Sequence, residues 1–194
     1  LIVSFFAYEK NLSFLDASIF IRFILFTTSI YYFISIMDKR LIKILFYIVL
    51  FINCFVIFDT LFQFYNYDSE FGFMGDIFGI KPNGLEGRLS GPFKDLIPGT
   101  YLARFYFLII FLFIINYSKK LSKKKFIFLT IILSASLSVI YFSGERMALA
   151  TTLLGIGISI IFINKIRKLL IMVVGISIFF VFINHFLHPY YQNN

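Results

Sequence analysis

The chain has one cysteine, two histidines and four prolines in 194 residues, and only 14% of its residues carry charge. With Cys54 alone, neither a disulfide framework nor a thiolate metal site can be built. Cys54 lies in an apolar run, as a small core or lipid-facing residue does. His185 and His188 are three residues apart but lack a third imidazole or carboxylate nearby to complete a metal site. No internal repeat is present, and the one low-complexity segment is the lysine cluster Lys119 to Lys125. Absent too are an initiator Met and the basic flank of a signal peptide. The chain opens on Leu1 inside a hydrophobic run and closes on His188-Pro189-Tyr190-Tyr191-Gln192-Asn193-Asn194, as expected of a fragment of a longer protein.

What is present in excess is apolar surface: 60% hydrophobic residues, 21% aromatic, and a mean hydropathy of +0.90. A soluble globular domain holds about 45 to 50% apolar residues, so this composition excludes one and predicts an integral membrane protein. A spanning helix needs about 20 apolar residues. Six segments qualify: 17–37, 44–64, 101–117, 126–142, 147–163 and 169–187. The expected fold class is therefore all-α, a polytopic transmembrane helix bundle forming a single domain over 1–194.

Charge placement orients the bundle. The connections 38–43, 118–125 and 164–168 hold eleven of the 18 basic residues and one acid, Asp38, and so face the cytoplasm by the positive-inside rule. That side carries +10 and the other −2. The net +8 is thus a topology signal and an attraction to anionic membrane lipids, with no implication of nucleic acid.

Residues 65–100 then form one long outer loop, rich in glycine and proline and built of turns. Its Phe71, Phe73, Phe78 and Phe93 argue that it folds back on the outer mouth of the bundle. Long connections are usually functional or disordered. Gly155, Gly157 and Gly175 inside spans are expected at close helix contacts, and Asn53 and Asn116 as hydrogen bonds between helices. Asp59, about a turn from the outer end of its span, is expected to face water or an arginine.

The basic residues of the two sides differ in kind. Inside, nine of the eleven are lysine; outside, four of seven are arginine: Arg22, Arg88, Arg104 and Arg146. Arginine offers a permanently charged fork that grips phosphate or carboxylate oxygens with two hydrogen bonds. Four of them near one depth predict an anion site, unless each pairs with an acid such as Asp16, Asp59, Asp95 or Glu145, or Arg22 snorkels to the headgroups. Between Phe126 and Ile163 the sole charges are Glu145 and Arg146, within Ser143-Gly144-Glu145-Arg146. There Ser143 is expected to cap a helix with Arg146 at its third position, its free amides forming an anion cradle. In Gly87-Arg88-Leu89-Ser90-Gly91-Pro92-Phe93 an arginine lies between glycines, where amides such as that of Gly91 can approach a ligand.

An outer-loop Arg-x-x-Gly-x-Phe segment (Arg88 to Phe93) paired with a later Ser-Gly-x-Arg turn (Ser143 to Arg146) resembles the O-antigen ligase and O-antigen polymerase superfamily over residues 12–163. The resemblance implies a bacterial inner-membrane glycosyltransferase, its active site facing the periplasm, that moves glycan from an undecaprenyl-diphosphate carrier to an acceptor glycan or lipid A core. It implies inverting chemistry with no metal and no cofactor. Arg88 and Arg146 would hold the diphosphate, with Arg104 as a third; Ser143 and Gly91 would line the site. Ligase-type members have in addition a large periplasmic loop with a functional His, and this chain stops at Asn194, where such a loop could begin.

A base for the acceptor hydroxyl would come from Glu145, Asp95, His185 or His188, although Glu145 also reads as a structural partner of Arg146 and the histidines as interfacial anchors. A different class, a transporter or flippase for lipid-linked polysaccharide, would also use an arginine-lined cavity. It would however need charge spread through the bilayer, and the middle of every predicted span is uncharged.

Overall fold

The computed structural model describes residues 25–33, 35–82, 88–93, 98–116 and 123–192. The chain divides into two compact units, Leu1–Ile44 and Leu45–Asn194. In the first, α1 (25–33) is helical and α2 (Lys39–Tyr65) begins. The second holds the rest of α2, then β1 (Tyr67–Asp68), β2 (Gly72–Phe73), α3 (Pro98–Asn116), α4 (Lys123–Phe142), α5 (Arg146–Phe162), α6 (Asn164–Leu187) and the short α7 (Pro189–Gln192).

Among the described residues four helices, α2, α3, α4 and α6, are long and apolar enough to cross a membrane; α5, with 17 residues, is shorter. Their surfaces agree with that reading. Phe51 is 74% exposed and Phe162 78%, a pattern costly in water but suited to lipid. The expected 17–37 span lies partly outside the described residues; the other five segments appear as helices with their ends displaced, four of them long enough to span. Lysines and arginines expected in connections prove to be helical at the starts of α2, α4 and α6, because a helix continues past the apolar core while long cationic side chains reach the headgroups. Arg167 is one: its Nε donates to Ile160 O at 2.8 Å and its Nη2 to Ile161 O at 3.2 Å. These bonds satisfy carbonyls left open at the end of α5.

Helix α4 is the most enclosed of the four, with 61% of its apolar window buried against 28% for α6, and it packs on α3, α5 and α6. Serines bond α4 to α6 across their interface. Ser134 Oγ donates to Val173 O (3.2 Å), and Ser177 Oγ donates back to Ser134 O (3.1 Å). Gly155 is packed against the Phe107 ring, as expected of a close contact, but Gly157 and Gly175 face open space. Asn53 does not join helices either, since its Nδ2 donates to Val49 O of its own helix. The Asn116 side chain lies outside the described residues.

The all-α expectation needs one amendment, a two-stranded antiparallel hairpin in which Tyr67 pairs with Phe73 and Asp68 with Gly72. Its Phe73 enters a core with Phe64, Leu89 and Phe142. Phe64 stacks on Phe142 at 4.3 Å and on His188 at 4.0 Å. Of the loop phenylalanines, Phe73 is buried, whereas Phe71 and Phe78 are exposed.

Candidate functional site

Four segments meet at one end of the second unit: the end of α2, residues 88–93, the start of α3, and the turn between α4 and α5. Helix α4 ends because Gly144 takes a left-handed conformation (φ +74°), which a side chain would strain. Pro98 opens α3, its fixed φ suited to the first helical position. The next residue, Gly99, lies so close to Ser143 that a Cβ there would overlap the Ser143 hydroxyl. Arg88 passes over the turn, its Cγ 3.7 Å from the place a Cβ on Gly144 would take.

Glu145 organises the charge at this junction. It holds the N-cap position of α5 but makes no cap bond with its side chain. Its carboxylate turns instead to the first turn of α3, where Oε2 accepts the Thr100 hydroxyl and the Thr100 amide also donates. A carboxylate at a helix N-terminus is favoured by the open amides and the macrodipole. Burial lifts the Glu145 carboxyl above the ordinary carboxylate range, against the pull of Arg88, the Thr100 amide and Arg104. The two arginines are exposed, and each acts on this carboxylate through its charge.

The structure thus brings Arg88, Arg104 and Glu145 together and revises other expectations. Arg146 does not pair with its neighbour Glu145; it is exposed at the first position of α5 rather than the third. Ser143 does not cap α5. It is fully buried, and its hydroxyl donates to Ile140 O at 2.8 Å inside the preceding turn. The Gly91 amide is likewise not free for a ligand, because it donates to Gln63 Oε1 at 2.9 Å. Arg22 and Asp95 lie outside the described residues.

Asp59 faces neither water nor an arginine. It is fully buried, its Oδ1 accepts the Ile77 amide at 3.1 Å, and it lies against Asp76. Asp76 Oδ1 accepts the amides of Phe78 (2.9 Å) and Ile80 (2.7 Å), and Oδ2 of each aspartate is buried without a partner. His188 is structural: its Nε2 meets Phe64 O at 2.8 Å and its Nδ1 accepts the Tyr190 amide at 3.2 Å. Burial lowers its pKa, opposed by the Phe64 bond. His185 lines a cavity of about 530 Å³ between α4, α5 and α6, with Leu137, Tyr141, Leu153 and Phe182.

Sequence reasoning missed Thr60 and Gln63. The available signal was polar spacing: Asp59, Thr60 and Gln63 recur at i, i+1 and i+4 near the end of an otherwise apolar helix, which places them on one face. All three are fully buried beneath the loop.

These features define a helical membrane protein with a loop docked on its helix ends and an arginine-flanked carboxylate at the junction. No protein-family model, curated protein or solved structure matches the chain.

Proposed function

We propose that the chain belongs to a bacterial inner-membrane glycosyltransferase of the O-antigen ligase or polymerase type, with its loop end toward the periplasm. The observation that supports this most is that the charges of both Arg88 and Arg104 act on the Glu145 carboxylate, which is itself bonded at the α3 N-terminus. Arg88, Arg104 and Arg146 against one Glu145 leave the junction net positive, as a lipid diphosphate requires.

On this reading Arg88, Arg104 and Arg146 bind the diphosphate of an undecaprenyl-linked glycan. When an acceptor hydroxyl attacks the anomeric carbon, the bond to the diphosphate oxygen breaks and negative charge grows on that oxygen. Arginines fixed in a low-dielectric site stabilise that charge as it develops. Glu145, held by Thr100, takes the hydroxyl proton or keeps the arginines apart and aimed. The apolar cavity lined by Leu153 and Phe182 offers the lipid chain a berth.

The test is reconstitution of the protein in liposomes with an undecaprenyl-diphosphate-linked glycan and an acceptor glycan. The expected result is joined glycan that falls by about ten-fold or more in R88K, since lysine cannot reproduce a bidentate grip. Movement of the lipid-linked glycan between leaflets with none joined to acceptor would replace this reading with a flippase.

A further inference from the structure

We infer that Gln63 is a positioning residue that sets where Arg88 stands, an inference that rests on the diphosphate reading above for its functional half. Gln63 is fully buried on α2, yet its amide makes every hydrogen bond available to it. Oε1 accepts the backbone amides of Ser90 (2.8 Å) and Gly91 (2.9 Å). Nε2 donates to Ser90 Oγ (3.0 Å) and to Ile80 O (3.3 Å). A primary amide has two acceptor lone pairs and two donors, so this one is saturated, and no other orientation of its O and N satisfies the two amides.

One side chain therefore ties both limbs of the loop to one point on α2. Ile80 O also accepts the Asp76 amide at 3.0 Å, which links the clasp to the turn around Asp76. On the other limb, Leu89 is inserted in the aromatic core beside Phe64 and Phe142, and Gly91 rests on Thr60, where a Cβ would come within 2.5 Å of Oγ1. Arg88 is exposed, and the segment that carries it is held from beneath by Leu89, Ser90 and Gly91. A buried polar pair of this kind is costly to break because the partners left behind have no water. The loop's attachment is accordingly strong at the residues just after Arg88.

The test uses the full chain in nanodiscs, with Cys54→Ser and a nitroxide spin label on Arg88→Cys for one readout. Inorganic pyrophosphate binding to the otherwise unaltered protein is the second. The variant Q63M keeps the length of the side chain and removes the four bonds. Expected are a mobile label at position 88 and pyrophosphate affinity lowered by about ten-fold, with the helical content unchanged. An immobile label in folded Q63M overturns the inference. A label that becomes mobile while the unaltered protein fails to bind pyrophosphate overturns the diphosphate reading instead and leaves the clasp standing. If Q63M does not fold, Gly91→Ala lifts the same segment off Thr60 and pulls the Gly91 amide from Gln63 Oε1 while leaving the Gln63 side chain itself unaltered. It should mobilise the label equally, and an immobile label there again overturns the inference.

Discussion

Thr100, in the first turn of α3, donates its hydroxyl to Oε2 of Glu145, in the turn between α4 and α5. This bond joins elements 45 residues apart in the chain and holds a carboxylate within electrostatic reach of Arg88 and Arg104. Changes at either partner should therefore register on the arginines.

Replacement of Glu145 by Gln retains an acceptor for Thr100 and removes the titration. A carboxyl whose value is raised on folding favours the folded state when protonated, so its contribution is lost as pH rises through the folded value. Melting curves from about pH 4 to pH 8 should show that contribution in the unaltered protein and not in E145Q. If Glu145 serves as the base, glycan transfer should rise with pH over the same range, and E145Q should lose the rise.

Gly99→Ala should destabilise the protein by about 1 to 3 kcal/mol, the usual cost of overpacking, because its Cβ would overlap Ser143. Ser143 cannot turn away without giving up its bond to Ile140 O. Thermal unfolding of G99A alone and with Ser143→Gly checks this, the second change being expected to recover part of the loss.

His188 carries a second pH dependence of opposite sign. An imidazole depressed on folding contributes stability that is present above its ordinary value of 6.5 and lost as pH falls through the folded value. Protonation puts a hydrogen on Nδ1, where the Tyr190 amide now donates. Acidification should loosen α7 from the Phe64 core, read as faster hydrogen exchange at Tyr190 and Tyr191; H188Q, uncharged throughout, should show no such pH dependence.

Ser177→Ala should cost no more than about 0.6 kcal/mol, the mean for hydrogen bonds between helices in a membrane protein, since its one hydroxyl proton is shared between Val173 O of its own helix (2.8 Å) and Ser134 O on α4 (3.1 Å). Unfolding in mixed detergent with a denaturing detergent component would measure it. A larger loss would point to the reciprocal Ser134 bond failing too.

The helices were legible because a run of about 20 apolar residues has few other fates. Their ends were less so, since Lys39 or Asn164 continues a helix that hydropathy alone would stop. Within the site, Arg88, Arg104 and Glu145 could be named from charge placement, but their grouping could not. Glu145 was read beside Arg146, its neighbour in sequence, whereas a helix start directs adjacent residues to different faces. Gln63 could not be assigned a role because its spacing with Asp59 and Thr60 marks a polar face but gives no sign of its partners.

What the sequence by itself determined about this protein is local and additive: helical spans long and apolar enough to cross a membrane, lysine gathered in three segments, arginine scattered in the rest. What only the tertiary structure decided is which polar groups meet. Those meetings depend on α2 bringing Gln63 to Ser90 and α3 bringing Thr100 to Glu145, over separations of 27 and 45 residues. Buried donors and acceptors must find partners wherever the backbone brings them, and that choice is made by packing rather than by order along the chain.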